Sequence, residues 1–188
     1  MISPMDDHGE PTTGRPELVV PRRVVGVFAH PDDEVFCAGG TMATWAAEGA
    51  SIAVVCATRG EAGQIRDATT AVRRTLGRVR EGELRQACSH LGVSEVTMLD
   101  YSDGALDAVD PDLLADHVAR LLVDADPDVI VTFADDGAYG HPDHIAISNA
   151  TTAAAIRLRR TAWSSRPVPV QLLRSHFPSL NLISRTKR

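Results

Sequence analysis

Four short apolar runs punctuate the chain, and each is followed by a turn and a stretch with helical periodicity. Val24 to Ala29 is the first; it is largely β-branched and reads as a buried strand. Pro31 ends it, because proline has no N–H to give a sheet ladder. Met42, Ala43, Trp45 and Ala46 lie between the pair Gly39-Gly40 and Gly49. They predict a helix of about 10–12 residues, closed by Gly49, with the glycine pair letting backbone approach the sheet. Ser51 to Thr58 (SIAVVCAT) is a second buried strand, and Arg59 to Gly63 is the loop after it. Leu76, Val79, Leu84, Ala87, Cys88 and Leu91 form a helical stripe, predicting a helix over 70–91. Val96 to Tyr101 is a short third strand that ends in the turn Ser102-Asp103-Gly104. Asp110-Pro111 supplies an N-cap and a proline at the first helical position. Asp126-Pro127 stops that helix, and Val129 to Ala134 is the fourth strand. After the loop Asp135 to Tyr139, a further helix opens at Pro142 and runs to Ile156. Strands alternating with helices predict an α/β fold with a mostly parallel sheet.

Two of the loops carry the chemistry. His30-Pro31-Asp32-Asp33-Glu34 gathers an imidazole and three carboxylates at the carboxyl end of the first strand. In open α/β sheets, ligands bind at that edge. Carboxylates at this density repel, so one would stay protonated unless a cation joined them. A lone Asp-Asp would read as an acidic surface loop, but the histidine at the mouth of a buried strand argues for a divalent metal. Gly140-His141-Pro142-Asp143-His144 repeats the arrangement after the fourth strand, with two histidines at a helix start. Together His30, His141, His144 and the first-loop carboxylates form a set with metal-site chemistry. Carboxylates also stand where a dinucleotide fold would carry its glycine-rich turn, which argues against a nicotinamide or flavin cofactor.

Charge divides the chain. Residues 1–144 hold 11 arginines and all 25 acidic residues, a balance of −14, whereas residues 145–188 carry +8 with no Asp or Glu. The acidic body argues against nucleic acid as the main partner. Residues 1–22, with four prolines, read as a flexible leader, residues 23–160 as the domain, and 161–188 as an atypical basic C-terminal tail. That tail is either a flexible extension or a diverged or out-of-frame end, although Val168 to Leu173 has the makings of a short strand. Six arginines between residues 64 and 85 (66, 73, 74, 78, 80 and 85) read mostly as a solvated helical face, with Glu81–Arg85 an i,i+4 pair. Three widely spaced cysteines (37, 56 and 88) suit neither a thiolate zinc site nor a disulfide framework. No signal peptide and no apolar run near the ~20 residues of a membrane helix are visible, so a soluble, cytoplasmic protein is expected.

The two loops resemble the paired signatures of the zinc-dependent N-acetylglucosaminyl de-N-acetylase family. That family includes the phosphatidylinositol-glycan de-N-acetylases (PIG-L), the LmbE-like proteins and the deacetylases of mycothiol and bacillithiol synthesis. The similarity also takes in Thr58 to Gly63, Arg80 to Leu84 and Tyr101 to Gly104, and spans roughly residues 24–155. It implies a Rossmann-like three-layer sandwich with the site at the carboxyl ends of the strands. It further implies one zinc ion per chain held by His30, Asp33 and His144, leaving an open position for water. By the same resemblance Asp32 is the general base, and His141 is the second acid–base group with Asp143 as its partner. Tyr139 matches an active-site tyrosine, and Arg80 and Asp103 match substrate contacts; Glu34 reads either as support for the ligands of its loop or as a structural residue at the helix start. The activity implied is hydrolytic removal of acetate from an N-acetylglucosamine-type sugar or glycoside, a small-molecule substrate, in a possible homo-oligomer. An amidase acting on a thiol conjugate and a zinc-binding member with an incomplete pocket remain alternatives. A metal phosphoesterase is disfavoured, because one ion accounts for the histidines.

Overall fold

Val24, Val25, Val27 and Phe28 are all buried, so β1 (Arg23–Phe28) needs cover on both of its faces. In the computed structural model, which describes residues 20–65, 67, 69–166 and 170–175, helices supply that cover. The elements follow as α1 (Asp33–Ala47), β2 (Ser51–Thr58), α2 (Arg73–His90), β3 (Glu95–Tyr101) and α3 (Pro111–Ala125). Then come β4 (Val129–Phe133), the four-residue turn α4 (Gly137–Gly140), α5 (Pro142–Arg160) and β5 (Gln171–Ser175). All five strands are parallel, in the order β3-β2-β1-β4-β5. The chain therefore leaves β1 towards one edge, then returns across the sheet to β4. With right-handed crossovers, α1 and α2 cover one face and α3 and α5 the other. Leu91, just past α2, accordingly lies beside Gly39 of α1, and α3 packs on α5. This is an α/β three-layer fold, and its topological switch point lies between β1 and β4.

Three local expectations change. The first helix begins at Asp33, inside the acidic loop, and runs for 15 residues through both glycines. Carboxylates are favourable in a first helical turn, where the backbone N–H groups lack partners. The glycine pair does not bring backbone to the sheet: Gly39 meets the Leu91 side chain, and nothing lies within 4 Å of where a Gly40 Cβ would stand. The fourth-strand loop contains a turn of helix, with Ala138 at a φ of 69°.

The sheet also outruns the boundary expected at residue 160. β5 pairs in parallel with β4, from Val129 against Gln171 to Phe133 against Ser175. Trp163 is buried in the core, and Arg166 reaches back to Asp126 at 2.7 Å and Asp128 at 3.1 Å. Arg174 pairs with Asp135. Part of the basic segment is thus drawn onto the acidic body by charge, and β4 gains a neighbour on an edge that would otherwise be open. The leader to residue 19, and residues 167–169 and 176–188 of the tail, lie outside the described residues. The cysteines are unpaired, and no described helix is long and apolar enough to cross a membrane.

Candidate metal centre

Both acidic-histidine loops leave strands that flank the switch point, and this brings residues over a hundred positions apart together. His30 follows β1, Asp33 opens α1, and His144 lies in the first turn of α5. His30 Nδ1 stands 3.1 Å from His144 Nε2 and 3.4 Å from Asp33 Oδ2, and His144 Nε2 is 3.4 Å from Asp33 Oδ1. A tetrahedral ion with bonds of about 2.0–2.2 Å has ligand–ligand edges of about 3.3–3.6 Å. Each ring nitrogen therefore stands near that separation from one Asp33 oxygen, Oδ2 for His30 and Oδ1 for His144. His141 extends the group, offering a nitrogen within 4.8 Å of those of His30 and His144.

Outer contacts fix which nitrogens face inward. His144 Nδ1 lies 3.1 Å from the Gly137 carbonyl, to which it can only donate, so Nε2 carries the lone pair. The ring stacks on Phe133, with centroids 4.0 Å apart. His30 Nε2 lies 3.0 Å from Asp103 Oδ1 and 3.1 Å from Asp143 Oδ2, which leaves Nδ1 as the inward acceptor. Carboxylates and carbonyls behind ligating histidines orient them and raise their basicity. Burial opposes a charge on His30, yet Asp103, Asp33 and Asp143 outweigh it and push its pKa up to about 10, so without a cation the ring is protonated on both nitrogens, and a metal at Nδ1 would have to displace that proton. Burial lowers the pKa of His144 and keeps it neutral, the form a metal ligand needs. The donor set thus fits a divalent cation.

One expected partnership is redrawn here. Asp143 does not present its carboxylate to His141. It is fully buried and accepts from Gly104 N at 2.8 Å and Leu106 N at 3.0 Å, besides bracing His30. His141 instead receives the Asp143 backbone N–H on Nδ1 at 3.2 Å, so in the neutral ring the proton sits on Nε2. Asp103 also meets protein groups: its carboxylate accepts from Ala62 N at 2.8 Å and lies 3.0 Å from His30 Nε2. Glu61, a residue not singled out from the sequence, receives the Asp103 backbone N–H at 2.9 Å and ties the β2 loop to the turn after β3. Gly137 escaped notice as well, since a carbonyl partner leaves no side-chain signal.

Asp32 is the open carboxylate of the group, with its side chain 56% exposed. Its backbone is left-handed at a φ of 103°, and Glu34 Oε2 accepts its N–H at 3.0 Å. Burial raises the Asp32 pKa, and Arg80, 3.0 Å away, opposes that rise. Glu34 is itself buried, which pushes its pKa up to about 7. Tyr139 is 73% exposed, its ring centroid 5.2 Å from that of His144. A groove of about 230 Å³ opens beside Asp32, lined by Phe36, Arg80 and Leu84 among others. A larger cavity of about 500 Å³ lies elsewhere, between α3 and α5, with walls such as Val109, Leu114 and Ile145. The lining of the smaller groove includes Asp32, and neither lining includes His30, His141 or His144.

Comparison with known proteins bears on the family and the fold. The chain is 36% identical over 182 residues to a 1D-myo-inositol 2-acetamido-2-deoxy-α-D-glucopyranoside deacetylase of Saccharopolyspora erythraea, covering 82% of this chain and 60% of that protein. It is 34% identical over 148 residues to a probable N-acetyl-α-D-glucosaminyl L-malate deacetylase of Bacillus cereus, covering 78% and 66%. The chain thus spans about two thirds or less of these relatives' length. The fold also matches N,N'-diacetylchitobiose deacetylase from Pyrococcus horikoshii, with a TM-score of 0.65 at 23% identity over 80% of this chain and 57% of that one. The family model described as "PIG-L: GlcNAc-PI de-N-acetylase" matches residues 25–155, and the chain belongs to that family.

Proposed function

We propose that this protein hydrolyses the acetamide of an N-acetylglucosamine-type glycoside, releasing acetate and the free amine, with one zinc ion bound by His30, Asp33 and His144. The observation that carries the reading is the trio of inward donors 3.1–3.4 Å apart, set next to a carboxylate that remains open to solvent. Zinc in such a site supplies water activation near neutral pH and polarises a carbonyl. Asp32 takes the proton as the water oxygen adds to the acetamide carbon. The Nε2–H of His141 hydrogen-bonds the departing nitrogen, and the proton that Asp32 took from water passes to that nitrogen as the C–N bond breaks, which returns Asp32 to its carboxylate form. Tyr139 contributes its hydroxyl to the developing oxyanion. Asp103 and Asp143 hold the His30 tautomer. The names of the relatives support a small glycoside as substrate.

The test is acetate release from a panel of N-acetylglucosaminides, including the inositol and malate glycosides, with metal content measured on the same preparation. Acetate from at least one glycoside and about one zinc per chain are expected. Full zinc with no acetate from any of them would leave a metal-binding member without turnover.

A further inference from the structure

An aspartate at the start of a helix ordinarily caps it, its carboxylate accepting one of the first-turn N–H groups that lack a partner. Asp32 stands at that position before α1 and makes no such bond. The reason is its backbone. Capping residues are typically extended, whereas Asp32 is left-handed, with a φ of 103° and a ψ of −27°. A non-glycine residue in so sparsely populated a region persists only where its surroundings over-determine it. Glu34 supplies that restraint. It is 1% exposed, and its Oε2 reaches back to accept the Asp32 N–H at 3.0 Å. This is the reverse half of a capping box, made here from one position earlier in the helix than usual. The forward half, from the Asp32 carboxylate to the helix, is missing. The Asp32 carbonyl meanwhile accepts from Val35 N at 3.1 Å and Phe36 N at 3.2 Å, so the helix is entered through backbone bonds. Burying a carboxylate is costly unless its oxygens are paired, yet Glu34 Oε1 has no hydrogen-bond partner among the described residues. A helix start capped by Asp32 itself would need no buried glutamate.

We infer that Glu34 is a positioning residue: it locks Asp32 in a backbone conformation that does not cap α1, and so keeps the Asp32 carboxylate open to solvent. The inference rests on Asp32 as the general base. Without the lock, Asp32 relaxes to the extended conformation of an ordinary N-cap. Its carboxylate then turns onto the first-turn N–H groups, away from the water it must deprotonate. Stability and turnover therefore pull in opposite directions at this residue, as they do where backbone strain is held at a reacting group. A base displaced by about 1 Å costs about a hundredfold in turnover. The loss falls on kcat, because the group that moves is the base.

The experiment compares the full chain with Glu34→Met, which keeps a similar side-chain volume but offers no comparable acceptor, and with Glu34→Gln, which keeps the acceptor and removes the charge. Zinc content, thermal midpoint, kcat and KM are measured on a glycoside that releases acetate. NMR follows exchange of the Asp32 amide in the metal-free and the zinc-loaded protein. Glu34→Met should lower kcat about a hundredfold, leave KM within about threefold, keep zinc and melt no lower than the unaltered chain. Its Asp32 amide should exchange at least about fivefold faster in both forms, since one hydrogen bond is lost. Glu34→Gln should hold kcat within about threefold and keep the slow exchange, because its amide oxygen still accepts. Glu34→Met combined with Asp32→Asn should be no slower than Asp32→Asn alone, since a residue acting only through Asp32 is silent once the base is gone. Unchanged kcat in Glu34→Met would overturn the inference. So would equal losses in both Glu34 variants, which would make the charge the cause, or a raised KM with preserved kcat. A Glu34→Met protein that loses zinc or fails to fold would overturn it too, and leave the glutamate as a structural support of the ligands. Normal turnover in Asp32→Asn would instead remove the base and so the purpose of the lock, whatever the exchange rates show.

Discussion

The two signature loops hold carboxylates of opposite character. Asp32, after β1, is more than half exposed, strained at a φ of 103° and held by one arginine. Asp143, after β4, is fully buried and tied to two backbone N–H groups and to His30. The first residue sits in a turn that enters a helix at its strained end, whereas the second is gripped within the first turn of α5. Sequence type alone makes them look interchangeable. Their environments divide the work: the exposed carboxylate can exchange protons with substrate and water, and the buried one can only hold its neighbours in place.

Four measurements would break or sharpen that division. Asp32→Asn should lower turnover about 10²–10⁴-fold, the range of a general base, with zinc and thermal stability retained. Equal loss of zinc would place Asp32 among the ligands. Chelation comes next. At a zinc concentration a thousandfold above its dissociation constant, the bound ion stabilises the fold by about 4 kcal/mol, so stripping it should lower the denaturation midpoint by that equivalent. An unchanged midpoint would mean that the donors hold no tightly bound ion. Asp143→Ala strands two buried N–H groups and one face of His30, so unfolding free energy should fall by about 2–4 kcal/mol. Zinc affinity should also weaken about 10–100-fold through the loosened histidine. Loss of turnover with stability and zinc intact would make Asp143 a reacting group after all. The smallest effect is expected at Tyr139→Phe, where an exposed hydroxyl is removed. A turnover loss below about tenfold should result, since a single hydroxyl in high dielectric contributes about 1 kcal/mol. A larger loss would show that the ring closes over bound substrate.

Much of the fold was legible because its determinants are local. β2 runs from Ser51 to Thr58 as its apolar run indicates, and Asp110 caps α3 by accepting from Asp112 N and Leu113 N, with Pro111 next to it. Burial on both faces of β1 and β4 follows from their unbroken apolar sequences. β5 was partly legible, since Val168 to Leu173 has the makings of a strand and Gln171–Ser175 forms one, but its pairing depends on the free edge of β4 and on Arg174 reaching Asp135. The start of α1 was misplaced for a related reason: the glycines at 39 and 40 weaken the local helical signal, but packing against Leu91 and the charge preference of the first turn override it.

The sequence by itself determined the donors: which histidines and carboxylates exist, and that each group follows a buried strand. Spacing along the chain and a proline in each loop suffice for that, because strand and helix ends are governed by neighbours within a few residues. Tertiary structure alone decided the partners. That Asp103 and Asp143 converge on His30, that Gly137 orients His144 and that Arg80 grips Asp32 all depend on where crossovers deliver loops at the switch point. Such contacts join residues 7 to 113 positions apart. They are selected by the geometry of the closed sheet edge, to which no local sequence pattern gives access.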